Sequence, residues 1–324
     1  MFFSRTQTQR RKLRLLLPSL ALSLSLVFGA CASPKASGGD GAKKRITVTT
    51  SFLYDMSRQL LGDQAQLELI IPAGDDPHLY NAKPQDLQKL QQADLVLYHG
   101  LHFEGKMAEA LEKSGAKAVT ADFSPEDSLR MEEDGQEVVD PHFWFSIPLY
   151  KKATETAGRY LDELYKGQGE VQEQIRKRLA DYLQKLDALD QENKQKFQAL
   201  PKERRILVTP HDAFNYFAKA YDFEVKAPQG VSTDSEVANR DLADTATFIV
   251  QHQVPAIFAE TSTDPARMDK LQELVQQMKG SVKVVSGEKE QLFSDSLAPE
   301  GQPGDSYIDM YRHNVDTIVG NLRG

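Results

Sequence analysis

Two copies of one tripeptide, Asp76-Pro77-His78 and Asp140-Pro141-His142, hold two of the seven histidines in the chain. Proline fixes its own φ and pushes the preceding aspartate into extended space. Each imidazole is therefore presented on a loop of limited freedom, and a metal ion is the commonest target for such a neutral ring. A third candidate is His211, in Thr209-Pro210-His211-Asp212. This stretch reads as a helix start, with Thr209 as N-cap and Pro210 in the first turn. The positive end of a helix disfavours imidazolium, which would keep His211 free to bind a cation. The same placement also suits a histidine that only packs at a helix start. The fourth is Asp305, in Gly304-Asp305-Ser306-Tyr307, which precedes the final helix and reads either as a ligand or as an N-cap.

Three imidazoles and one carboxylate close a four-ligand shell, whereas catalytic zinc keeps a position open for water. The chain also lacks His-Glu-x-x-His, Gly-x-Ser-x-Gly and Gly-x-x-x-x-Gly-Lys. The reading is a carrier rather than an enzyme, with a zinc hydrolase or a surface adhesin as the other classes. His99 and His102 read as a structural or outer pair, because Gly100 and a preceding strand argue against a helical His-x-x-His face. His252 and His313 lie on helices and read as solvated or packed. Glu260 is placed to line the cleft, and Trp144 and Phe145 to cover it.

Strands and helices alternate from residue 46. Strands are expected at 46–51, 66–71, 95–99 and 116–120, with helices at 52–61, 84–93 and 106–113 between them. Residues 125–139 are acidic and read as a mobile loop. A helix is expected at 149–166. Val171, Ile175, Leu179, Tyr182, Leu186, Leu189 and Phe197 then mark an amphipathic helix of about 30 residues, read as a stiff spine or a coiled-coil arm. The alternation resumes with strands at 206–209, 223–226, 256–259 and 282–285, and helices at 211–220, 240–252, 265–278 and 306–322. The expected fold is α/β: two lobes, each a four-stranded parallel sheet flanked by helices, joined by one long rigid helix. Ligands of such sheets bind beyond the carboxyl ends of the strands, where His78 and His211 fall, so two facing lobes can clamp one ion.

The N-terminus reads as a targeting segment. Arg5, Arg10, Arg11, Lys12 and Arg14 precede an apolar run from 15 to 30, short of the ~20 residues of a membrane span. Cys31 follows Gly29-Ala30 and is the only cysteine. Residues 1–30 read as a lipoprotein signal with Cys31 as the lipidated residue, or as an ordinary secretory leader before a free cysteine. Residues 31–45 form a flexible tether, and the rest divides into a lobe at 46–167, a linking helix at 168–200 and a second lobe at 201–324. With one cysteine, neither a disulfide framework nor a thiolate site is available. The net charge of −8 becomes −13 without the five leader cations, and no basic stripe is present, which argues against nucleic acid as a partner.

The chain resembles the zinc/manganese solute-binding lipoproteins of bacterial ABC importers, the TroA-like (cluster A-I) family, some once called lipoprotein adhesins. The resemblance rests on Gly74–Tyr80, Asn81–Asp86, Gly100–Glu104, Asp140–Trp144, Val208–Phe217, Gln229–Glu236 and Gly304–Tyr307, in order across residues 45–323. It implies two α/β lobes on a rigid helix and first-shell roles for His78, His142, His211 and Asp305. It further implies a cargo of zinc or manganese, an ABC permease as partner, a lipid anchor at Cys31 and a site at the cell surface or in the periplasm. The third ligand is glutamate in some manganese-binding members and His211 here. Many zinc-specific members carry a histidine-rich loop, and residues 125–139 contain no histidine. His99 stands where relatives often have asparagine. The nitrogen-rich ligand set favours zinc, and the chain is expected to act as a monomer.

Overall fold

The structure, a computed structural model, describes residues 43–133 and 135–323. The expected leader and Cys31 lie outside the described residues. Among those described, no helix is long and apolar enough to cross a membrane.

The first half is a four-stranded parallel sheet. Strands β1 (Lys44–Val48), β2 (Ala65–Leu69), β3 (Leu95–Tyr98) and β4 (Lys117–Ala118) lie in the order β2-β1-β3-β4. Helices α1 (Ser51–Leu61), α2 (Pro84–Gln92) and α3 (Ala108–Ser114) make the crossovers. Thr50 caps α1 by accepting from Leu53 N. Gly62 ends α1 at φ +55°, and a Cβ there would stand 2.7 Å from the Arg178 guanidinium, so glycine lets this corner close. Pro84 occupies the first turn of α2, where its missing N–H costs nothing.

Residues 125–139 depart from expectation. Strands β5 (Arg130–Glu133) and β6 (Gln136–Val139) pair antiparallel, with Arg130 bonded to Glu137 across the ladder. The Asp-Gly dipeptide at 134–135 is a hairpin signal that the acidic composition obscured.

Helix α4 (Ile147–Leu164) leads to α5 (Gly169–Gln198), whose 30 residues span about 45 Å. Ile175, Tyr182, Leu186, Leu189 and Phe197 form its buried stripe. It packs on α1 and α4 of the first half and on α9 (Tyr307–Leu322) of the second, which fits the spine reading.

The second half uses three-residue strands. β7 (Ile206–Val208) pairs with β8 (Glu224–Lys226), and β9 (Ala256–Phe258) with β10 (Lys283–Val285), all parallel, and β7 packs beside β9. The expected second sheet is thus present as two hydrogen-bonded pairs. Helices α6 (Asn215–Tyr221), α7 (Asn239–Gln251) and α8 (Ala266–Gln277) flank them.

The expected helix at 211–220 begins four residues late. Thr209 does not cap it: its hydroxyl donates to the His211 carbonyl, and His211 itself bridges to Gln229 in parallel-strand fashion. The chain bends at Pro210 and is strand-like at His211, and the dipole argument for His211 fails with the cap.

One apolar cluster runs through both halves. It joins Ile46 and Phe52 to Trp144, Tyr150 and Leu186, and these to Phe214, Phe258 and Tyr311. A smaller cluster of Val208, Ile257, Leu271 and Val275 lies beneath the second half. The halves therefore share a core rather than meeting only across a wet cleft.

Candidate metal centre

Four loops converge at the carboxyl ends of the strands. His78 follows β2, His142 follows β6, His211 follows β7, and Asp295 lies between β10 and α9. One ligand atom from each lies within 4.8 Å of all the others, and all four residues are buried. The imidazole centroids are 5.5 Å (His78–His142), 5.4 Å (His142–His211) and 6.2 Å (His78–His211) apart. Asp295 Oδ1 is 3.2 Å from His142 Nε2, and Oδ2 is 3.2 Å from His211 Nε2. Yet Nε2 of all three histidines and both Asp295 oxygens lack a hydrogen-bond partner in the protein. Buried polar atoms are rarely left so. Five orphaned atoms facing one point, each a metal-ligand atom, form a nitrogen–oxygen donor set that could hold a divalent transition metal.

The outward sides of the rings are satisfied instead. His142 Nδ1 pairs with Asp140 Oδ1 at 2.7 Å, and His211 Nδ1 with Glu260 Oε2 at 2.5 Å. Glu260 also accepts from the Ser294 hydroxyl, beside Asp295. Asn215 donates to the other oxygen of Asp140. Carboxylate–histidine pairs of this kind fix the tautomer and aim the free nitrogen at a metal.

The repeated tripeptide gains a second explanation here. In both copies the aspartate accepts from the backbone N–H of its own histidine at 2.9 Å. Proline stiffens the loop, and the carboxylate closes it. His78 is gripped further by the loop at 99–105. Gly105, at φ +46°, lies so near the His78 carbonyl that a Cβ would fall 2.3 Å from its oxygen. Phe103 meets the His78 ring edge-on at 5.1 Å, and Trp144 meets His142 at 5.2 Å. Trp144 thus walls the centre, its indole N–H bonded to the Ser294 carbonyl, while Phe145 stacks on Phe214.

The charges divide unevenly. Burial pulls His78 down to about 3, so this ring is neutral. Burial acts the same way on His142, but Asp140 and Asp295 outweigh it and raise the ring to about 9. His211 rises well above its ordinary value because Glu260 and Asp295 overcome burial. Asp295 is held well below the usual carboxylate range: burial opposes its charge, and His211 and His142 overcome that.

Asp305 is not in this cluster. It is half-buried, accepts from Gly301 N at 2.7 Å, and lines a shallow depression with Arg58 and Glu300. Nor does it cap α9: Ser306 does, accepting from Asp309 N, while Tyr307 N donates to buried Asp55 of α1. The carboxylate at the centre comes from ten residues earlier. Its sequence signal was an acid inside an apolar stretch, Leu292-Phe293-Ser294-Asp295-Ser296-Leu297-Ala298, all of it buried. Acids are seldom buried unless paired or ligating. Glu260 does line the centre, through His211. His99 and His102 part company. His99 is wholly buried with Nε2 2.7 Å from the Thr50 hydroxyl, and His102 is exposed. His252 stacks on Phe248, and His313 bonds to the Gln291 carbonyl.

Residues 46–321 match the family model described as zinc-uptake complex component A, periplasmic. The zinc-binding protein TroA of Treponema pallidum is 38% identical over 307 residues, covering 94% of this chain and 96% of that protein. The manganese-binding lipoprotein MntA of Bacillus subtilis is 33% identical over 310 residues, covering 95% and 99%. A solved TroA structure, from work on its metal-binding specificity, superposes with a TM-score of 0.84 at 57% identity, covering 87% of this chain and all of that one. The periplasmic zinc-binding TroA from Treponema pallidum gives 0.82 at 36% identity with the same coverage. A match that runs from the first strand into the last helix, over a shared two-lobed fold, places this chain in the zinc-uptake complex component A family.

Proposed function

We propose that this protein captures a divalent transition metal, zinc or manganese, outside the cytoplasmic membrane and delivers it to an ABC permease. His78, His142, His211 and Asp295 are its ligands. The observation that carries the reading is the set of five buried, unpartnered ligand atoms on those four residues, with the outward nitrogens of His142 and His211 already bonded to carboxylates. Three nitrogens and a carboxylate suit zinc, which also outcompetes manganese on intrinsic affinity. The relatives include a zinc-binding and a manganese-binding protein by name, so zinc is the first cargo to test. Cys31 would carry the lipid that holds a monomeric carrier at the membrane.

The core shared by the two halves, with α5 packed on helices of both, opposes a wide hinge. Release therefore falls to the ligand loops. Titration calorimetry with zinc and with manganese tests the ligand set. His211→Ala and Asp295→Ala should each weaken binding by more than the roughly hundredfold that lost outer partners cost. Asp305→Ala should bind as the wild type does. If Asp305→Ala loses the metal and Asp295→Ala keeps it, the assignment is wrong.

A further inference from the structure

In both tripeptides the second carboxylate oxygen accepts from a side chain of the other half, but the two histidine rings are held differently. Asp140 accepts with Oδ1 from the backbone and ring of His142, and with Oδ2 from the Asn215 amide at 3.1 Å, at the start of α6 in the second half. Asp76 accepts from His78 N with Oδ1, and with Oδ2 accepts from the Thr233 hydroxyl at 2.6 Å. Thr233 belongs to the second half, 157 residues away, on the loop between β8 and α7. No described hydrogen bond reaches the His78 ring, whereas the rings of His142 and His211 are each tied to a carboxylate. His78 is also the one ligand with residual exposure, 3% against none for the other three.

The Thr233 loop springs from Gln229, the residue that pairs with His211, and is braced from within. The Gln229 amide donates to the carbonyls of Thr233 and Ser235, and Arg267 holds Gln229 from behind. Behind the loop lies an open cavity of about 660 Å³, lined by Pro210, Gln229, Thr233, Glu236 and Arg267 among others. The loop borders this open space and contributes no residue to the shared core. The His78 loop is tied to the second half once more, by Gly74 N to the Ser296 hydroxyl, next to Asp295.

We propose that the Thr233–Asp76 hydrogen bond is a latch across the cleft that sets the rate of metal release by holding the His78 loop closed. Thr233 is a positioning residue: it acts on the metal through Asp76 and the His78 backbone. The proposal rests on the carrier reading above and adds to it the element that must move. Withdrawal of the Thr233 loop frees Asp76, and the His78 loop, lacking a tether on its ring, is the first to leave the metal.

The test is stopped-flow release of Zn²⁺ from the loaded full-length protein into excess chelator, beside the rate of Zn²⁺ uptake. Thr233→Val keeps the volume and deletes the donor. A lost hydrogen bond to a charged acceptor predicts release at least about tenfold faster, with uptake little changed because such losses fall mainly on dissociation. Thr233→Ser should restore the wild-type rate. A role confined to packing would instead follow the lost methyl, leaving release unchanged in Thr233→Val and speeding it in Thr233→Ser. Release from Thr233→Val at the wild-type rate overturns the latch and leaves the carrier reading intact. A wild-type protein that takes up neither Zn²⁺ nor Mn²⁺ overturns both.

Discussion

Two regions of this molecule bury imidazoles completely and treat them in opposite ways. At the candidate metal centre His142 and His211 are ringed by Asp140, Glu260 and Asp295, and both rings are made more basic than in water. Behind the wall of Phe103 and Trp144, His99 is just as buried and falls to about 3. Its neighbours are the rings of Phe52, Phe103, Phe143 and Trp144 and the Thr50 hydroxyl. Glu104 is close, but it accepts from the His99 backbone and Thr49, not from the ring. Burial costs the charged form in both places. What separates His142 and His211 from His99 is whether a carboxylate meets the ring, and that decides which ring is made basic; His78, without such a tie, is lowered to about 3 as His99 is.

One substitution tests that difference directly. Glu260→Gln leaves a group able to bond to His211 Nδ1 but removes its charge. Metal affinity should fall by about ten- to hundredfold, the usual cost of weakening a partner of this kind. Calorimetry on the purified variant measures it. An unchanged affinity would mean that the acid merely props the ring.

The second effect is the competition between metal and protons. With His142 raised to about 9 and His211 above its ordinary value, the metal-free centre holds protons at pH 7 that a metal must displace. Affinity should therefore climb as pH rises from 6 to 8, by up to about tenfold per pH unit for each proton released. Calorimetry in buffers of different ionisation enthalpy counts those protons directly. An affinity flat across that window would break the contrast between the two regions.

How much of this was legible in the chain follows from how rare each signal is. Histidine occurs seven times, and two copies stand in the same stiff tripeptide, so His78 and His142 could be found by eye. Acids number 47, and nothing in spacing singled out Asp295 over Asp305. Only its apolar flanks did, and they speak about burial, which a search for motifs overlooks. The long helix was plain because seven apolar residues repeat along it. The short strands were placed but not their pairing, since three residues carry too little periodicity to fix a ladder. The helix expected at His211 failed for a tertiary reason: pairing with Gln229 holds the backbone extended where local preference allowed a cap. The hairpin at 130–139 was hidden by its charge.

The smallest effect concerns stability rather than binding, and it exposes the second region alone. His99 is depressed from 6.5 to about 3 by burial, so the unfolded chain takes up a proton that the folded one refuses. Stability from this group is complete above pH 6.5 and is lost progressively as pH falls toward 3. Glu104 runs the other way. Burial raises it from 4.5 to about 7, so its contribution is full below pH 4.5 and lost as pH rises through 7. Between pH 4.5 and 6.5 the two slopes oppose each other, so these two groups together add little net pH dependence. His99→Asn keeps a partner for Thr50 and removes one of the slopes. The metal-free variant should gain on the wild type as pH falls below 6.5, by up to about 1.4 kcal/mol per pH unit. Urea unfolding at pH 5, 6 and 7 would show it. Parallel stability curves for the two proteins would mean that His99 is charged in the fold, and that the aromatic wall does not separate a cation-binding region from a cation-refusing one.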